Sequence, residues 1–163
     1  MVKSSRSPEK ICSLFSMDAF DWLKSGRDVG EIQLRRSFCS FVVTLFCLKI
    51  NSIVKALCPG VEFSLYVDDF VICYRSKFIH IIERHLQRCL NKLQHWADTN
   101  GFKFSTSKTV CVHFCHLRKL HPDPQLLLYG NPIPVVEKVK FLGIIFDRKL
   151  SFLPHLHSDV TLP

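Results

Sequence analysis

Two consecutive carboxylates, Asp68 and Asp69, interrupt an otherwise largely apolar stretch from Val61 to Tyr74 and are the residues best suited to chemistry. Val61, Phe63, Leu65 and Val67 alternate with Glu62, Ser64, Tyr66 and Asp68, the period of a half-buried strand. Phe70 to Tyr74 is β-branched and aromatic again and predicts a second strand. Only a tight turn fits between them, so the stretch predicts a β-hairpin with both carboxylates at its tip. Asp is a common turn residue, yet two-residue hairpin turns favour Asn-Gly or Asp-Gly, and no glycine is present here. No Lys, Arg or His lies between Lys55 and Arg75 to neutralise the pair. Two carboxylates about 4 Å apart repel by ~4 kcal/mol at an effective dielectric of about 20. A divalent cation removes that repulsion, and hard oxygen donors are what Mg²⁺ takes. A metal-binding pair and a solvated turn pair both fit these residues.

The elements that must position the hairpin follow from the rest of the chain. Met1 to Lys10 is polar and basic and is expected to be a loose tail, while Ile11 to Leu23 is apolar with Asp18 and Asp21 inside it. Ser25 to Ser37 is charged and predicts a loop or short helix; Phe38 to Leu57 predicts a long apolar helix, broken at Cys58-Pro59-Gly60. Ile79, Ile82, Leu86, Leu90, Leu93 and Trp96 recur every three or four residues with charged and amide residues between, the clearest helix in the chain. It is expected to pack its apolar stripe on the core and to stop at Asn100-Gly101. Val110 to Phe114 predicts a strand, and Leu126–Tyr129 and Ile133–Val136 predict two more around a Gly130-Asn131-Pro132 turn. Gly143 inside the strand-like Val139–Asp147 suggests a bulge or a close backbone approach. Cys111, His113, Cys115, His116 and His121 fit no paired zinc-ligand spacing, and zinc is not expected there.

Composition bounds the function classes. The chain has 163 residues, 47% of them hydrophobic, which excludes a wholly disordered chain. Its net charge of +8, from 22 Lys and Arg against 14 Asp and Glu, favours polyanionic partners. The eight cysteines follow no secretory signal, so reduced thiols and an intracellular protein, nuclear or cytoplasmic, are expected. The longest apolar run, Phe38 to Leu48, is too short to span a bilayer, and no membrane association is expected.

Tyr66-Val67-Asp68-Asp69 between two apolar strands resembles the motif C hairpin of reverse transcriptases, and residues 44–157 resemble the polymerases of non-LTR retrotransposons of the jockey type. The resemblance implies an α+β fold: a palm-like antiparallel sheet with a long amphipathic helix packed behind it, an incomplete right-hand polymerase fold. It implies a partial reverse transcriptase domain over residues 38–163, ending at the approach to the thumb, after a poorly matched basic segment 1–37. In the family the hairpin carboxylates and an earlier aspartate hold two Mg²⁺ (or Mn²⁺) ions for RNA-directed DNA synthesis from deoxynucleoside triphosphates on an RNA template and DNA primer. That earlier aspartate stands six residues before the last residue of Ala-Phe-Asp. In Asp18-Ala19-Phe20-Asp21 the gap is three, which makes Asp18 a candidate ligand in a shortened motif. The family's Pro-Gln-Gly turn before the long apolar helix is replaced by Ser37-Phe38-Cys39-Ser40-Phe41, without the glycine that lets backbone approach the nucleotide.

Gly101–Ser105 followed by Ser107-Lys108-Thr109 resembles motif D, which makes Lys108 a candidate acid toward pyrophosphate, or else a solvated turn lysine. Val139–Asp147 resembles motif E, the primer grip, with Gly143 inside it, while Leu117–Pro124 is a basic loop whose Arg118 and Lys119 could touch a phosphate backbone; Tyr66, Gly143, Arg118 and Lys119 are the candidate nucleic-acid contacts. The expected function is a fragment of a retrotransposon reverse transcriptase that does not turn over as this chain. The alternatives are a non-catalytic basic nucleic-acid binder and a partner-binding scaffold; composition leaves the oligomeric state open.

Overall fold

The computed structural model describes residues 9–16, 47–66, 69–115 and 122–159, with residues 9–16 and 157–159 described by backbone alone. The chain is a mixture of helices and strands arranged in small antiparallel sheets. In order, the elements are β1 (Glu9–Ser16), a 3-10 helix (Asn51–Ala56), β2 (Glu62–Tyr66), β3 (Asp69–Ser76), α1 (Ile79–Asn100) and β4 (Val110–Phe114). The hairpins β5 (Leu127–Leu128) with β6 (Asn131–Pro132) and β7 (Lys138–Phe141) with β8 (Ile144–Asp147) follow, then α2 (Leu153–Asp159).

The main sheet runs β2-β3-β1-β4, each neighbouring pair antiparallel. β1 therefore fills the place between the hairpin and β4, which corrects the reading of Met1–Lys10 as a loose tail: Glu9 and Lys10 already pair with Ser76 and Arg75. The basic, polar composition of these residues carries no sign of the pairing, because a strand between two others is fixed by the backbone groups it satisfies on both sides. The same register sets Cys12 opposite Cys73, and Cys73 is disulfide-bonded, which corrects the expectation of reduced thiols at that position. Cys47, Cys58, Cys89, Cys111 and Cys115 are free thiols.

Strand alternation sends Phe70 and Ile72 of β3 into the core, both fully buried. There they join the buried face of α1: Ile82, Leu86, Cys89, Leu90, Leu93, Trp96 and Ala97. Burial pushes the Cys89 thiol up to about 11. The helix stops where a left-handed residue is required. Gly101 has φ +72°, its N–H reaches the Asp98 carbonyl at 3.4 Å, and the Phe102 N–H donates to the Ala97 carbonyl at 2.8 Å. This paired return satisfies the last carbonyls, and Phe102 stacks on Trp96 with ring centroids 5.3 Å apart.

Polar residues of α1 that read as solvent-facing instead hold the segment beside it. Gln87 accepts the Leu127 N–H at 2.8 Å and donates to the Leu127 carbonyl at 2.9 Å. Glu83 accepts from Gln125 N–H and Gln94 from Tyr129 N–H, at 2.9 and 3.1 Å. The β5–β6 turn sits at Tyr129-Gly130, φ +50° and +75°, so Asn131-Pro132 lies in the second strand and not in the turn. Gly143 is likewise at a hairpin tip, following Leu142 with φ +84° and +49°, and not at a mid-strand bulge. Both turns need positive φ at two successive residues, the geometry that matches the twist of the strands they join.

Candidate functional site

The turn at Pro59-Gly60 and the Val61 N–H bond to the Cys58 carbonyl, 3.2 Å, launch the hairpin. Its strands pair from Glu62↔Cys73 to Tyr66↔Asp69, leaving Val67 and Asp68 to connect them; those two residues lie outside the described ones. Asp69 is therefore the first residue of β3 and half-buried, one strand position from the tip where the sequence reading put both carboxylates. Tyr66 across from it is exposed. On its other side Asp69 faces Ser16, the last residue of β1.

The register gathers several candidate positions at one end of the sheet. β1 ends there at Ser16, β3 begins there at Asp69, and β4 begins there at Val110, opposite Leu14. Lys108, exposed, is in the turn just before β4. That turn is closed by Thr109, fully buried, whose N–H and hydroxyl both donate to the Ser105 carbonyl at 3.0 and 2.6 Å. Since neighbouring strands lie about 4.8 Å apart, β3 and β4 at this end are separated by about 10 Å across β1. Asp18, Arg118 and Lys119 lie outside the described residues. Gly143 is exposed at the β7–β8 tip.

Arg75, the first basic residue after Asp69, lies six residues along β3 and pairs with Glu62 at 3.4 Å. On the sheet face away from α1, Val71, Val112 and Phe114 with Val139, Phe141 and Phe146 line an apolar cavity of about 290 Å³ under the β7–β8 hairpin. Among the described residues no group of three or more His, Cys, Asp or Glu is placed to hold a metal. Cys111 and Cys115 are buried, and His113, fully buried, lies 3.4 Å from Arg148 and 3.5 Å from Asp123, which Arg148 also binds at 2.9 Å. His116 and His121 lie outside the described residues.

Sequence reasoning missed β1, whose only local signal is the β-branched and aromatic content of Ile11 to Phe15. It also missed Asp147. Burial by itself would raise the pKa of this carboxyl, but it accepts the Phe152 N–H at 2.9 Å, the Ser151 hydroxyl at 3.0 Å and the Lys149 N–H at 3.2 Å. Those donors outweigh desolvation and hold its pKa below the ordinary value. The signal was an Asp followed four residues later by Ser, a local carboxylate turn.

Residues 39–146 match the family model described as reverse transcriptase (RNA-dependent DNA polymerase). The chain belongs to that family. A probable RNA-directed DNA polymerase from transposon X-element of Drosophila melanogaster is 28% identical over 120 residues, 69% of this chain and 12% of that protein. The RNA-directed DNA polymerase from mobile element jockey, of the same organism, is 32% identical over 91 residues, 56% of this chain and 10% of that protein. This member of the reverse transcriptase family thus spans about a tenth of the length of these retrotransposon relatives. No helix among its described residues is long and apolar enough to cross a membrane.

Proposed function

We propose that the chain is a palm fragment of a non-LTR retrotransposon RNA-directed DNA polymerase which, alone, holds a divalent metal weakly and does not extend a primer. The observation that carries this is the register at one sheet end, where the Asp69 end of the hairpin meets the end of β1. In the parent family that geometry belongs to the strand bearing the earlier aspartate. The long helix behind the sheet and the incomplete right hand are part of the same reading, with residues 38–163 as the partial polymerase domain and β1 supplied from before it.

The donor chemistry fits Mg²⁺ or Mn²⁺: Asp68 and Asp69 are consecutive carboxylates with no basic residue between Lys55 and Arg75. Such ions, when bound, activate a primer hydroxyl and offset triphosphate charge. Asp18 follows Ser16, the last residue of β1, by two residues in the sequence. The position six before Asp21, however, is Phe15, whose backbone pairs with Phe70. A phenyl ring offers no metal ligand, which leaves Asp18 as the substitute in this reading. Lys108 contributes positive charge near pyrophosphate, and Tyr66, Gly143, Arg118 and Lys119 contact nucleic acid. RNA template, DNA primer and deoxynucleoside triphosphates are the partners this reading gives the parent protein.

Titrating Mn²⁺ while following the relaxation of hairpin resonances tests the metal claim. Broadening centred on Asp69, and its loss in the Asp68→Ala/Asp69→Ala double variant, is expected. Identical titrations of both proteins would sink it. The non-catalytic binder remains the second reading, favoured by the +8 charge; it predicts salt-sensitive nucleic-acid binding that is indifferent to metal.

A further inference from the structure

A second charged surface lies away from the hairpin, on the outer side of α1. The 3-10 helix and α1 enclose an open groove of about 670 Å³, lined by Lys55, Arg88, Lys92 and His95 together with amide and hydroxyl side chains, and by no carboxylate. Its floor is braced: the Trp96 indole N–H donates to the Ser52 hydroxyl at 3.0 Å, and that hydroxyl donates to the Lys49 carbonyl at 2.8 Å. One turn further along α1, Arg84 continues the row, so Arg84, Arg88 and Lys92 follow one another at intervals of four residues, all exposed. Like charges at that spacing destabilise a helix unless something offsets them.

The two acids of α1 do not offset them. Glu83 is turned to the Gln125 N–H, and Asp98 lies near enough to Tyr129 to oppose ionisation of its phenol. The helix therefore sorts its charge, with carboxylates toward residues 125–129 and cations toward the groove. A concave groove whose charged lining residues are all basic accepts a strand of linked anions, whereas a flat bilayer surface cannot reach its floor.

We infer that this groove docks the phosphate backbone of a single-stranded nucleic acid, through Lys55, Arg88 and Lys92. The inference rests on the second reading above, the nucleic-acid binder, and gives it a site; the polymerase reading is tested separately, by Mn²⁺ at the hairpin. The experiment is fluorescence anisotropy of a labelled single-stranded RNA oligonucleotide titrated with the full chain at several salt concentrations. Each phosphate contact adds about 0.7 to the slope of log affinity against log salt. The Lys55→Gln/Arg88→Gln/Lys92→Gln variant is expected to be shallower by about 2, the sum of three such contacts. Lys55→Arg/Lys92→Arg keeps the wild-type slope. Thr99→Lys, which adds a cation to the groove near the helix C-terminus, steepens it by about 0.7 and remains informative if the triple variant loses its helical circular dichroism. An unchanged slope in both the charge-removing and the charge-adding variants overturns the inference. So does binding to phosphatidylserine vesicles without binding to the oligonucleotide.

Discussion

Asp147 shows how a single side chain can carry an element without touching the chemistry. Its carboxylate gathers the backbone of residues 149 and 152 and the Ser151 hydroxyl just before α2 begins. Because the folded pKa is lowered, this stabilisation is present above the unfolded carboxyl value of about 3.9 and is lost as pH falls through the folded value. Asp147→Ala leaves those donors unpaired and is expected to cost ~1–3 kcal/mol at neutral pH. Urea midpoints of wild type and Asp147→Ala should converge as the pH is lowered below about 4. A gap that stays constant with pH would mean that the carboxylate's charge contributes nothing. Asp69 differs: it sits half-buried at a strand start, where what matters is its neighbours at the sheet end.

Among the elements, α1 is the one on which the sheet rests. Leu86 and Leu93 are fully or almost fully buried against the core that includes Phe70 and Ile72, so Leu86→Ala and Leu93→Ala should each cost ~2–5 kcal/mol. Denaturant midpoints below about half a kcal/mol of loss for both would place the stripe in solvent instead. The β7–β8 tip gives a second test. Gly143 has φ +84° and open space around its α-carbon, so Gly143→Ala is opposed by backbone conformation alone and should cost ~1–2 kcal/mol. Gly143→Asn, which tolerates left-handed φ, should recover most of that in the same urea titration. Equal losses for Ala and Asn would argue against the turn.

These elements also mark the boundary of what the sequence discloses. The hairpin, the helix stripe and the Gly101 stop were legible because each is written in local periodicity or in one residue's backbone freedom. The strand β1 and the turn at Tyr129-Gly130 were not, because partners distant in the chain fix them. Tyr129 is held in its turn by Gln94 at its N–H and by Phe104 N–H at its hydroxyl, 3.1 and 3.4 Å away. Of the candidate site, Asp69 and Lys108 were placed at one sheet end by strand register, which no spacing in the sequence expresses. Asp18 was named for a shortened motif; that Phe15 stands six residues before Asp21 became informative only once β1 was seen to pair beside the hairpin.

At the scale of the whole molecule, family membership and activity separate. The match over residues 39–146 makes the chain a reverse transcriptase family member, while in the proposed reading Phe15 and the glycine-free Ser37–Phe41 stretch stand where that family positions metal and nucleotide. Positioning of reactants supplies ~7–11 kcal/mol of barrier reduction in reactions of this kind, which is why, in the proposed reading, no turnover is expected from this chain. Primer extension on an RNA template, with deoxynucleoside triphosphates and either Mg²⁺ or Mn²⁺, measures this most directly. The expected result is no template-dependent product from the 163-residue chain with either metal. Extension that follows the template and disappears in both Asp68→Asn and Asp18→Asn would contradict the account and make Asp18 a working metal ligand.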